Sequence, residues 1–312
     1  MNNPVRRAIG QPIAERIDLL GRIAVVTGAT RGLGLATSIS LARMGARVIL
    51  LARDRERGEE AAQQVRMAAA PGADAELVVM DLASLSSVRA AAAEIASRYD
   101  AVHALVNNAG VHLRRRANSA DGFELTWAIN HLGPFLFTRE LIPLLRAAED
   151  SRIVNVTSVF ARFGRVVPSR IGTAHASSGL RAYLDTKLAN MLFTIELARR
   201  LQGTSVTANS VDPGLVATDL MREWPRWMRR SWEWGLRTLE SGAAPIVHLA
   251  SSPSVAGVSG RHFARERIAR SPRRARDHRL AEELWAESER LVETGQGPRA
   301  RGQGSGQGLS RP

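Results

Sequence analysis

The sequence has no cysteine, two tyrosines and a single lysine, Lys187, although 43 of its 312 residues are lysine or arginine. The missing cysteines exclude a disulfide framework, thiolate catalysis and cysteine-bound zinc or iron–sulfur centres, and fit a reducing interior. Long apolar runs are missing too. No stretch approaches the length of a membrane span, and residues 1–17 lack the hydrophobic core of a secretory signal. These absences give the expectation of a soluble, cytoplasmic protein. A formal net charge of +13 raises the question of nucleic acid. Arginine and alanine are abundant throughout, however, and part of the excess sits in the tails, so no specific nucleic-acid partner is expected. With 45% hydrophobic residues the chain can bury a full core, as one large or two ordinary domains.

The lone lysine is the most informative residue. Arginine stays protonated and presents a rigid fork, whereas lysine is a compact charge whose proton affinity its surroundings can tune. Lys187 follows Tyr183 by four residues, which on a helix puts both on one face. A cation there stabilises a phenolate. The spacing therefore predicts a Tyr183 pKa lowered from about 10 towards neutrality, at roughly 4 kcal/mol, and a general acid/base. Taken alone, the pair also reads as a surface tyrosine beside a chance lysine.

Taken in order, residues 1–17 form a polar arm with Pro4 and Pro12. Arg22 to Thr27 reads as a buried strand running into Thr27-Gly-Ala-Thr-Arg-Gly-Leu-Gly34 and then a helical pattern from Leu35 to Met44. In that turn Gly28 permits the tight bend, Gly32 lets the backbone approach a pyrophosphate, and Gly34 allows close packing, with the helix N-terminus facing the anion. A second strand, Arg47 to Ala52, ends in Arg53. Dinucleotide folds that prefer NAD carry a carboxylate there, whereas arginine suits a 2′-phosphate. Arg53 and Arg31 thus point to NADP, and Asp54 tells against it unless it caps the next helix. Both arginines also read as ordinary surface residues. Leu77 to Met80 gives a third strand ending at Asp81-Leu82, Leu85 to Arg98 a helix, and Ala104 to Val106 a fourth strand leading into Asn107-Asn-Ala-Gly110. This alternation implies an α/β fold with a doubly wound parallel sheet and helices on both faces.

Jointly, TGATRGLG, the Asp81-Leu82 pair, NNAG from Asn107, Asn130 in NHLG, Ser158 in VTS, Tyr183-x-x-x-Lys187 and PGLVAT from Pro213 resemble the short-chain dehydrogenase/reductase family over about residues 20–265. DLASLSSVRA, NHLGPFLFT, KLANMLFTIELARRL and LAEELWAESERLV resemble its retinol dehydrogenase-like branch. The resemblance implies a single-domain Rossmann fold over residues 18–265 that binds NADP(H) in preference to NAD(H) and needs no metal. By the same resemblance Tyr183 exchanges the proton at the substrate oxygen, Ser158 polarises the carbonyl, Lys187 lowers the tyrosine pKa and holds the nicotinamide ribose, and Asn130 anchors a water chain. Gly28, Thr30, Arg31, Gly32, Leu33, Gly34 and Arg53 fall at the cofactor's phosphates, and Asp81 and Leu82 at its adenine. Asn108, Ala109 and Gly110 fall under the adenosine ribose, and Pro213, Gly214, Val216 and Thr218 over the nicotinamide. Taken singly, Ser158 also reads as a turn residue, Asn130 as a helix hydrogen-bonder and Asp81 as a helix cap.

One departure concerns the separation of Ser158 and Tyr183, which lie 25 residues apart, about twice what many family members have. Arg162, Arg165 and Arg170, with Gly164, Pro168, Gly172 and Gly179, mark the intervening stretch as a loop. Further on, four of the six tryptophans fall between Trp224 and Trp234. Trp224, Trp227 and Met228 are candidates for an apolar substrate wall, with a membrane-surface contact or a packed helix as the other readings. Glu240 to Ser251 reads as a helix and Gly260 to Ala264 as the last strand. Within an extension, residues 266–293, Arg279 to Glu293 is amphipathic, with Leu280, Leu284, Trp285, Leu291 and Val292 on one side. Residues 294–312 are too polar to order themselves. The expected function is interconversion of a small hydrophobic alcohol and its carbonyl, in a homo-oligomer by resemblance. A non-catalytic NADP-binding sensor would be signalled by loss of Tyr183, Lys187 or Ser158, and all three are present.

Overall fold

Strands rich in valine, isoleucine and leucine form the centre of the computed structural model, which describes residues 17–173, 179–214, 216 and 238–297. They are β1 (Ile23–Thr27), β2 (Arg47–Ala52), β3 (Ala75–Val79), β4 (Ala104–Asn107), β5 (Ser151–Val156), β6 (Val206–Asp212), β7 (His262–Ala264) and β8 (Arg267–Ile268). The sheet order is β3-β2-β1-β4-β5-β6-β7-β8, parallel except for β8, which returns antiparallel to β7. Between them lie α1 (Gly32–Arg43), α2 (Arg55–Ala68), α3 (Leu85–Arg98), α4 (Leu125–Trp127), α5 (Gly133–Ala147), α6 (Gly179–Arg200) and α7 (Leu239–Ser251), and α8 (His278–Thr294) follows the last strand.

Near-continuous apolar strands are what a parallel sheet covered on both faces requires. Successive side chains alternate between two cores. Val25, Ile49, Leu51 and Leu105 join α3, α5, α6 and α8 through Val88, Leu141, Leu192 and Leu284. On the other face Val26, Val48, Leu50 and Val106 pack with α1, α2 and α7 through Leu41, Val65 and Ile246. The strand order reverses between β1 and β4, and the crevice beyond their carboxyl ends is where such sheets bind ligands.

Several elements differ from the sequence expectation. The third strand starts at Ala75, paired with Val48, two residues before the apolar run that signals it. Gly260 to Ala264 does not end the sheet, because a hairpin through Arg265 leads to β8 and crosses the boundary expected at residue 265. Arg265 adopts φ 58°, the sole non-glycine with positive φ among the described residues. Gly179, expected as a loop marker, opens α6, where a Cβ would run into the Leu113 carbonyl oxygen. The arginine-bearing stretch after Ser158 is tied to α6, where Asp185 accepts from the Arg165 amide at 2.6 Å, and to the turn before α8, where Arg274 donates to the Gly164 carbonyl at 3.1 Å. Residues 1–16 of the expected arm, 298–312 of the expected tail and 217–237 of the tryptophan-rich stretch lie outside the described residues. Among the described residues no helix is long and apolar enough to cross a membrane.

Helix α8 packs its apolar side into the core. Trp285 lies edge-on to Phe135 at 4.9 Å and stacks with Phe193 at 5.8 Å, and the Arg200 guanidinium sits 4.3 Å from its ring centroid. Truncating a buried tryptophan loses both transfer energy and packing, so Trp285→Ala should destabilise the protein by about 3–5 kcal/mol. Urea denaturation checks this; a loss below about 1 kcal/mol would mean that α8 is a dispensable appendage.

Candidate active site

The glycine-rich turn is held by β4. Thr27 Oγ accepts from the Asn108 and Ala109 amides, each at 3.0 Å, and Asn108 Nδ2 donates to the Thr27 carbonyl at 2.9 Å. Gly28 and Gly32 sit at φ 64° and 59°, a region that disfavours side chains. A Cβ on Gly28 would come within 2.9 Å of Ala109 Cα, and one on Gly34 would run into the Gly28 carbonyl oxygen. Arg31, the N-cap of α1, makes no side-chain cap, and the first turn carries no acid. The first amides of α1 are thus left for an anion, as a dinucleotide pyrophosphate needs. Thr30 and Leu33 are half-buried beside this turn.

Arg53 is exposed at the end of β2, and the Asp54 carboxylate caps α2, accepting from the Arg57 amide at 3.0 Å. The acid that told against a 2′-phosphate is therefore spent on a helix end. Asp81 accepts from the Ala83 amide at 2.9 Å in a local turn after β3. Leu82 follows it with its side chain buried in the larger core, against Gly133 where α5 begins.

Asn130, Ser158, Tyr183 and Lys187 converge at the carboxyl ends of β4 and β5. A π-helical turn, Ala128–Leu132, joins α4 to α5 and carries Asn130, an irregularity frequent at functional sites. The Asn130 amide accepts from Val111 N at 2.8 Å and donates to Val111 O at 3.0 Å and to Thr186 Oγ at 3.1 Å. Both its donors are used, so the side chain clamps the β4 loop to α6. Lys187 Nζ donates to the Val156 carbonyl at 3.2 Å and lies 5.7 Å from the Tyr183 ring centroid. Gly110 makes room for it: a Cβ there would be 3.2 Å from Nζ. Ser158 follows β5, accepts from the Phe160 amide at 3.3 Å and hydrogen-bonds the Tyr183 phenol.

The proton affinities run opposite to the sequence expectation for Tyr183. Tyr183 and Lys187 are only 3% and 4% exposed. Burial pushes the phenol up to about 12, the Ser158 hydrogen bond pulls it down, and Asp212 pushes it further up. Burial likewise pushes Lys187 down to about 8, against a rise from Asp212. The reason for the correction is burial: shutting the phenol off from water penalises the phenolate by more than the Ser158 hydrogen bond favours it. Near neutral pH the pair is an ammonium beside a neutral phenol, a proton donor in place.

Three residues of the site escaped the sequence reading. His112 lies edge-on to the Tyr183 ring at 5.7 Å. Asp212 ends β6 and accepts from the Gly214 amide at 2.9 Å, beside Pro213. Its only sequence signal is a carboxylate at the end of a strand otherwise free of charge. Gly242 lets α7 approach the turn, because a Cβ there would lie 2.5 Å from Val216 and 2.9 Å from Leu33. Val216 is buried against α7 at this point. Thr218, Trp224, Trp227 and Met228 lie outside the described residues.

Residues 22–229 match the short chain dehydrogenase family. Over 288 residues the chain is 42% identical to retinol dehydrogenase 14 of Mus musculus, spanning 87% of this chain and 86% of that protein. It is 41% identical to a polyprenol dehydrogenase of Mus musculus over 288 residues, 89% of this chain and 85% of that one. A crystal structure of a protein from Mycobacterium paratuberculosis matches 91% of this chain and 98% of its own, with a TM-score of 0.73 and 32% identity. Another, described as an NAD(P) dependent gluconate 5-dehydrogenase from Beutenbergia cavernae with bound NADP, matches 79% of this chain and 96% of its own, with a TM-score of 0.66 and 29% identity. The chain belongs to the short-chain dehydrogenase family, in its retinol dehydrogenase-like branch, and is an oxidoreductase acting on CH–OH and C=O groups.

The buried ammonium gives a prediction with a defined sign. Below pH 8 both folded and unfolded Lys187 are protonated, and the fold bears the whole burial cost, up to about 3 kcal/mol for a pKa moved from 10.5 to about 8. Between pH 8 and 10.5 the unfolded chain binds more protons, so this cost fades as pH rises. Lys187→Met should therefore be more stable than the parent at pH 7, and the advantage should shrink by pH 9.5 in urea denaturation series. A gain that stays the same at both pH values would show that the charge is not its source.

Proposed function

We propose that this protein is an NADP(H)-dependent oxidoreductase that interconverts a hydrophobic alcohol and its aldehyde or ketone, with Tyr183 as the general acid/base. The observation that carries this reading is the convergence of a neutral phenol, a hydroxyl and a buried ammonium beside a glycine turn with uncapped helix amides. Relatives named for retinol and polyprenol support an apolar substrate. Arg53, with Asp54 withdrawn into a helix cap, supports a 2′-phosphate at the end of β2.

When bound, the dinucleotide supplies or accepts the hydride. Every other task falls to the chain. Gly28, Gly32 and the α1 amides hold the pyrophosphate, and Gly110 keeps room beside Lys187. Ser158 donates a hydrogen bond to the substrate oxygen and polarises the carbonyl. Tyr183 gives its proton to that oxygen as negative charge develops there. Below about pH 8 the Lys187 ammonium stabilises the charge left on the tyrosine oxygen, and the water-poor setting strengthens that interaction. In the direction of alcohol oxidation the same groups work in reverse. The non-catalytic reading has no observation in its favour, because none of the three groups is missing.

The test follows NADPH and NADH oxidation with a panel of apolar aldehydes and ketones, retinal included. Tyr183→Phe should lose about 10²–10⁴-fold in turnover while still binding NADPH, and undiminished turnover would remove Tyr183 from the mechanism. Arg53→Ala should weaken NADPH by about tenfold or more and leave NADH nearly unchanged. Equal losses for the two cofactors would place the 2′-phosphate elsewhere.

A further inference from the structure

Asp212 is a buried carboxylate that neither the glycine turn nor the proton-donating trio accounts for. It is 9% exposed at the last position of β6. Its neighbour Val211 pairs with Val156, and the Val156 carbonyl holds Lys187 Nζ at 3.2 Å. The strand end bearing the acid is thus next to the strand end whose carbonyl holds the amine. The Gly214 amide fixes one carboxylate oxygen at 2.9 Å, and the Arg265 amide donates to the Asp212 carbonyl at 3.2 Å. Among the described residues, Lys187 and Tyr183 from α6 and His262 from β7 feel its charge. His262 Nδ1 lies 3.1 Å from Ser210 Oγ, and His112 lies edge-on to the Tyr183 ring.

We infer that Asp212 is the buried counter-ion that keeps Lys187 protonated, and so a positioning residue for the reaction; its catalytic consequence rests on the Tyr183–Lys187 reading above. An ammonium in this pocket needs an opposite charge, because one hydrogen bond to a neutral carbonyl does not offset its desolvation. The same carboxylate opposes ionisation of Tyr183. One side chain on β6 thereby holds both protons in place, on the amine and on the phenol, which is the state required to donate to a carbonyl oxygen. When Asp212 is neutralised, burial alone acts on Lys187, and the amine loses its proton at a lower pH.

The single lysine makes this directly measurable. Full-length protein labelled with 13C-lysine gives one Cε resonance, whose titration reads Lys187 without any turnover. The parent midpoint is expected near 8. In Asp212→Asn, which keeps an oxygen for the Gly214 amide, the midpoint should fall by about one pH unit or more, and in Asp212→Glu it should stay within about half a unit. If Asp212→Asn does not fold, Asp212→Ser is titrated in its place. An unmoved midpoint in a folded variant with unchanged circular dichroism would overturn the counter-ion. A midpoint that moves while the alkaline limb of kcat/KM stays where it was would uphold the counter-ion and overturn the Tyr183–Lys187 reading instead.

Discussion

Burying the Lys187 ammonium beside the Tyr183 phenol on one turn of α6 imposes a demand that the surrounding fold has to meet. A charge shut off from water must find partners, and a phenol shut off from water resists ionising. The Val156 carbonyl and the Asp212 carboxylate answer the first requirement from β5 and β6, while the second is left unanswered, so the phenol keeps its proton. The chemistry of the site follows from that asymmetry. In the proposed reaction a phenol that keeps its proton near neutral pH is the group that gives it to the developing alkoxide, and burial that lowers the Lys187 pKa to about 8 makes the stabilising charge pH-dependent.

Such a site works only if α6 is held rigidly against the sheet, and buried polar networks do this. Asn107 on β4 donates to Thr138 and to Asn155, and Asn155 donates to Thr194 on α6, at 2.8–2.9 Å. Asn130 clamps Val111 to Thr186 from the π-helical turn. One residue on, His131 lies 2.9 Å from Ser288 of α8, and burial pushes its pKa down to about 4, so it stays neutral and can bond within the core. The C-terminal helix thereby braces the helix turn that carries Asn130. In a low-dielectric interior, networks of this kind specify one geometry because any slip leaves polar atoms unpaired.

The glycine turn, the early strands and the Tyr183-Lys187 pair were legible in the sequence because each depends on local spacing. Gly28 and Gly34 are dictated by backbone approach within a few residues, and the four-residue spacing of the pair by helix geometry. Burial is a property of the whole fold, and it reversed the expected effect on the phenol. Asp54 illustrates the same limit on a smaller scale: its sequence position opposed NADP, and only the start of α2 reveals that its carboxylate is a cap. His112 and Asp212 carry no motif. They reach Tyr183 and Lys187 because strand order brings the ends of β4, β5 and β6 together. The β7–β8 hairpin escaped because Arg265 occupies a turn position that usually signals itself with glycine.

The most direct test of this order of protonation is the pH dependence of kcat/KM for NADPH-driven reduction of an apolar aldehyde between pH 6 and 10. A single fall centred near pH 8 is expected, where Lys187 gives up its charge while Tyr183 still holds its proton. Activity that rises through pH 8 towards pH 10 would mean that phenolate is the working form, and would contradict a site built around a buried neutral phenol.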